Sequence, residues 1–173
     1  MATSTMYRRR SRGRPALGFQ MEVPDALELH DGAVVTCREV RGDGRVVGEL
    51  EIAVFAAALL IDRDGILAEK ARATLGVRSA GDPIAVRLPG ASGFRTEAVA
   101  STRLPYVYAF ALAPSDLGVD GGLAITVRSA RPDWPAAEQL LGSLRLLRRN
   151  GTVDDSADDE PAAPLLPFVA RGA

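Results

Sequence analysis

Few residues in this chain can do acid–base, nucleophilic or metal chemistry. There is one histidine, His30, and one cysteine, Cys37. A Cys/His zinc site needs more ligands than that. A serine nucleophile needs a nearby base, and Ser92, Ser101 and Ser115 would all have to draw on His30. His30 stands beside Asp31 and Gly32 in turn-like composition and reads as a surface histidine. Cys37 follows AVVT in a strand pattern, where a buried, inert thiol is expected. A cysteine with no partner for a disulfide fits a reducing compartment, and a cytoplasmic protein is expected.

The carboxylate pairs are no richer. Asp62 and Asp64 stand where a helix begins and read as caps. Asp154 and Asp155 lie in a polar acidic stretch with no fixed geometry for glycosidase or metal work. LPGASGFR (88–95) has glycines and a serine, but a strand pattern follows it, whereas a phosphate cradle requires a helix N-terminus and usually a lysine. The single lysine is Lys70, outside this segment. A hairpin loop is expected there, with Arg95 and Glu97 as a surface pair on the next strand. No cofactor and no metal are expected, and the protein reads as non-catalytic.

The segments that would position such residues are short and regular. LGFQMEVP places Leu17, Phe19, Met21 and Val23 at period two, a strand. GAVVTCREV (32–40) is a second strand, RGDGR (41–45) a tight turn, and the following apolar run through IAVFAAALLI (52–61) a buried strand. Over 62–76 the period changes: Leu67, Ala71 and Leu75 form one stripe, with Gly76 placed to close a helix. Strands follow over 83–89, 93–100, 105–113 and 121–130. PYVYAFALA is apolar on both faces, with Tyr106, Tyr108, Phe110 and Leu112 on one side and Val107, Ala109 and Ala111 on the other. That marks a central strand whose small side admits a helix closely and whose large side lines a second layer or a groove. PDWPAAEQLLGSLRLL (132–147) reads as a second helix, with Asp133 as cap, Pro135 in the first turn and Ala137, Leu140, Leu141 and Leu144 as its apolar stripe.

The ends carry opposite charge although the whole chain is nearly neutral, at −1. Arg8, Arg9, Arg10, Arg12 and Arg14 crowd residues 1–16, which read as a disordered basic arm. RGRP (12–15) matches the core of an AT-hook, in which glycine lets the backbone sit deep in the minor groove. An alternative function is therefore a nucleic-acid accessory role. With about four phosphates neutralised, such binding would fall roughly a hundredfold between about 50 and 200 mM salt. Residues 150–173 form an acidic linker followed by PLLPFV (164–169), where Leu165, Leu166, Phe168 and Val169 make a short apolar motif. Two readings stand open: the motif folds back on the protein's own sheet, or it docks on a partner. No apolar run reaches the ~18 residues that would span a bilayer, so no membrane partner is expected.

The order of strand, hairpin, helix, antiparallel strands and closing helix over about 17–148 resembles the PsbP-like fold. The features that carry it are GFQMEVPDAL, RLPGASGFRTE, PYVYAFAL with GGLAITVRSA, and AAEQLLGSLRLL. The resemblance implies an α+β domain with a single antiparallel sheet flanked by two helices, and a non-enzymatic role in assembly, chaperoning or lipid association. The expected function is thus a protein-binding adaptor, chaperone or assembly component. Its candidate surfaces are the motif at 165–169 and the aromatic side of the strand, Tyr106, Tyr108 and Phe110.

Overall fold

The nine residues of YVYAFALAP build the middle of the molecule because both of their faces can be buried. In the computed structural model, which describes residues 3–8, 17–76, 81–115 and 121–147, they form strand β8 (Tyr106–Pro114). Around it lie β1 (Thr3–Arg8), β2 (Gly18–Val23), β3 (Glu28–Asp31), β4 (Val35–Val40), β5 (Val46–Phe55), α1 (Arg63–Leu75), β6 (Ile84–Leu88), β7 (Ala91–Val99), β9 (Gly122–Ser129), α2 (Pro135–Ser143) and β10 (Arg145–Leu146). The larger sheet has seven strands in the order β3-β4-β5-β9-β8-β7-β6, and every pairing in it is antiparallel.

The α+β class is as expected, with a mostly antiparallel sheet and two helices among the described residues. The single sheet is not. A second sheet of three strands, β1-β2-β10, has β2 at its centre. Its chemical reason lies in the leucines after α2. That helix stops at Ser143, whose hydroxyl donates to the Leu140 carbonyl at 2.7 Å and accepts the Glu22 amide at 2.8 Å. Leu144 is then extended, at φ −63° and ψ 129°. The chain joins β2 through Arg145↔Gln20 and Leu146↔Phe19. Leucine suits helix and strand alike, so LRLL carried no warning of the change. The helix also starts differently from expectation: Trp134, not Asp133, is its cap, with no side-chain cap bond, and Pro135 opens it. Within the basic arm read as disordered, Thr3–Arg8 pair with β2, Arg8 opposite Gly18.

The two faces of β8 separate the packing layers. On the small-residue face, Val107, Ala109, Ala111 and Ala113 are buried, and α1 lies on them through Leu67, Ala71 and Leu75. The helix is held as its sequence suggests. Asp62 Oδ1 accepts the Gly65 amide at 3.1 Å, and Gly76 closes the far end at φ +70°, a left-handed conformation that glycine adopts without a Cβ penalty. Arg63 ties the first turn to the sheet by donating to the carbonyls of Ser92 (3.2 Å) and Ala113 (3.0 Å). On the large-residue face, Tyr108, Phe110 and Leu112 join Phe19 and Met21 of β2 and Leu140 and Leu141 of α2 in the main core. Burying each such Leu or Phe side chain is worth about 1.5–3 kcal/mol.

Because α1 sits directly on alanines, Ala111→Leu is expected to lower stability by about 1–3 kcal/mol through overpacking. The exposed Ala58→Leu is expected to change it by less than about 0.5 kcal/mol. Urea denaturation of the two variants beside the parent checks the contrast.

Candidate docking surface

The run IAVFAAALLI leaves the sheet halfway along. β5 pairs with β9 as far as Phe55↔Gly122 and then ends. Ala56, Ala57 and Ala58 have little preference for a strand, and the helix cap at Asp62 fixes where the chain must arrive. The six residues between cross from the sheet end to α1. Leu59 anchors this crossing in the small-face core at 7% exposure, while Leu60 and Ile61 project outward at 73% and 91%. The expected buried strand over 52–61 is therefore corrected: its last six residues form a crossing loop, and two of its largest side chains face solvent. The signals for this were the alanine triplet and the capping aspartate.

Behind the loop lies an open groove of about 470 Å³ between the end of β5 and the exposed side of α1. Phe55, Ala57, Ile66 and Ala73 supply apolar lining, and Asp62, Glu69 and Lys70 supply polar atoms. Lys70 Nζ stands 5.1 Å from the centre of the Phe55 ring, within cation–π range. The groove is mainly apolar, bears both signs of charge, and has an apolar shelf, Leu60–Ile61, next to it in the chain.

A smaller cleft of about 220 Å³ lies beside Trp134, among Glu39, Arg41, Arg131 and Asp133. Its indole N–H donates to Glu39 Oε2 at 2.5 Å. The indole ring lies against Gly48, where a Cβ would come within 2.4 Å of it, so glycine is required for the close approach. Nearby, Tyr108 Oη donates to the Pro132 carbonyl at 2.6 Å and Ser129 Oγ to the Arg131 carbonyl at 2.5 Å. These bonds brace the chain between β9 and α2, so the cleft's aromatic and hydroxyl groups serve the fold.

Of the residues expected to bind a partner, Tyr108 and Phe110 are 2% and 0% exposed, and Tyr106 is half-buried. The aromatic side of β8 is packed beneath β2 and α2, as the second-layer reading of its large side has it, which corrects the choice of Tyr108 and Phe110 as a partner-binding surface. Leu165, Leu166, Phe168 and Val169 lie outside the described residues, as do Arg9, Arg10, Arg12 and Arg14; Arg8 ends β1. Arg95 and Glu97, expected as a surface pair, are instead buried at 3% and 8%. They fall on the large-residue face because Phe94, Thr96 and Ala98 between them turn to α1; Thr96 Oγ1 donates to the Ala71 carbonyl at 3.3 Å.

The residues with chemical capacity are spread out. His30 is exposed on β3, an edge strand rather than a turn, and Ser92 sits on β7 rather than in a loop, with four strands between them. LPGASGFR is the expected hairpin, turning through Gly90 and pairing Leu88 with Ala91. Among the described residues no group of three or more His, Cys, Asp or Glu side chains is placed to hold a metal ion. None of the described helices is long and apolar enough to cross a membrane. Cys37 is fully buried in the main core, and burial pushes its thiol up to about 11. Comparison with protein-family models, curated proteins and solved structures finds no match for this chain.

The raised thiol has a definite linkage. Folding favours the neutral form, so this contribution to stability is intact below about pH 9 and is lost as pH rises toward about 11. Urea midpoints between pH 8 and pH 11 are expected to fall more steeply for the parent than for Cys37→Ala. At pH 7 a thiol reagent is expected to label Cys37 only after unfolding.

Proposed function

We propose that this protein is a non-catalytic binding module, an adaptor or assembly component that receives an apolar segment of another protein. One observation carries the reading: Leu60 and Ile61 stand 73% and 91% exposed beside an apolar groove of about 470 Å³. Large apolar side chains at such exposure cost solubility, and apolar surface rimmed by polar groups marks protein-interaction sites. The loop that carries them is anchored at both ends, by Leu59 in the core and by the Asp62 cap with Arg63 on the sheet carbonyls. A shelf held in this way loses little freedom when a partner arrives, so more of the gross binding energy is retained. Asp62, Glu69 and Lys70 supply the groove's polar atoms beside its apolar lining.

The PsbP-like resemblance belongs to the same proposal. An antiparallel sheet with a helix on each side is compatible with it, and the non-enzymatic roles it implies agree with a docking shelf. The three-stranded sheet is an addition to the simple pattern on which the resemblance rests.

A photoreactive p-benzoylphenylalanine at position 61 of the full chain tests the proposal in host extract. One dominant protein adduct is expected from position 61 and none from position 138, an exposed site on α2. The adduct is expected to disappear with Leu60→Asp, which alters an exposed side chain and leaves the fold intact. Equal labelling from both positions, or an adduct indifferent to Leu60→Asp, would overturn the reading.

A further inference from the structure

Resting on that reading, we infer that the groove has an occupant of its own: residues 164–169 of the same chain dock beside Phe55 and Ile66, and a partner binds by displacing them. Reach is sufficient. The described chain ends at Leu147, whose amide donates to the Gly18 carbonyl on the layer opposite α1. From there to Leu165, fully extended backbone covers up to about 60 Å. That is enough to pass around a domain of this size, whose radius of gyration is about 15 Å. A random coil of that many residues would span about 25 Å on average.

The chemistry matches as well. PAAPLLPFVA (161–170) has no charged side chain, so it enters an apolar groove without desolvating one. The next residue, Arg171, can meet Glu69 or Asp62 on the groove. Proline presets an extended backbone angle, so prolines in this sequence lower the ordering cost of an extended bound shape. The acidic stretch 154–160 then serves as a solvated tether. Connection through such a tether gives an effective concentration of about 1 mM, so a segment with a dissociation constant of about 0.1 mM would be docked in roughly nine chains of ten. At micromolar protein the same affinity leaves contact between separate chains negligible. Docking within one chain is therefore favoured over a second copy.

The test uses the full chain with a nitroxide on Ala170→Cys, attached at pH 7 where Cys37 is buried and protonated. Amide signals of Ile66, Lys70 and Ala73 are expected to broaden, and Leu165→Asp with Phe168→Asp is expected to abolish the broadening. Broadening centred elsewhere, or unaffected by that double variant, overturns the proposal. In a mixture of spin-labelled chains with separate isotope-labelled chains, broadening at the same amides would show docking between molecules and overturn docking within one. The double variant is also expected to raise adduct yield at position 61 by up to about tenfold, because the groove is uncovered. An adduct at position 61 without tail-dependent broadening would retain the partner site and remove only its internal occupant. Broadening without any adduct would retain the occupant and remove the partner site.

Discussion

The fold depends on one constraint: β8 buries both of its faces, and those faces differ in size. Alanines on one side let α1 rest close to the sheet, so Leu67, Ala71 and Leu75 meet backbone and methyl groups. Tyr108, Phe110 and Leu112 on the other side fill the space beneath β2 and α2. Interiors packed at crystal-like density tolerate neither a void nor an extra methylene. The position of α1 is therefore set by the alanines, and with it the path of the crossing loop. Leu60 and Ile61 stand outside because the loop must rise from the end of β5 to a helix already fixed against the sheet.

Much of this was legible in the residues. The alternation in PYVYAFALA separated the small face from the large one, and the stripe Leu67, Ala71, Leu75 with its Asp62 and Gly76 ends located α1. Those features are local, and local periodicity reports them. What remained hidden depended on partners distant in the chain. Nothing in LRLL distinguishes a last helical turn from a strand until Gly18–Val23 is known to lie beside it. Tyr108 and Phe110 looked available because one strand's pattern cannot say what covers it. Arg95 and Glu97 looked exposed because charge ordinarily marks a surface. The shelf was missed for a related reason: a continuous apolar run resembles a buried strand until the alanines and the capping aspartate are given weight.

The sparse chemistry of the chain agrees with its architecture. Its lone histidine and lone cysteine are consumed separately, one on an exposed edge and the other deep in the core. Charged groups brace rather than gather: Glu49 meets Arg38 at 2.6 Å and Arg128 at 3.8 Å across neighbouring strands, and Glu39 holds the Trp134 indole. The open, mainly apolar groove beside α1 differs from these polar arrangements, which is why it is the place proposed for docking.

The pairing of β2 with β10 also governs the order in which the chain acquires its structure. A ribosome releases about 5–20 residues per second. Gln20 therefore emerges several seconds before Arg145, to which it pairs. Throughout that interval the apolar side of β2, with Phe19 and Met21, has neither α2 nor the complete large sheet to cover it. Closing so long a loop is entropically slow compared with forming the hairpins between them. Among the described strands, the seam between β2 and β10 is consequently the last to close in synthesis. Until then, the nascent chain exposes the β10-facing edge of β2 and the side chains of Phe19 and Met21.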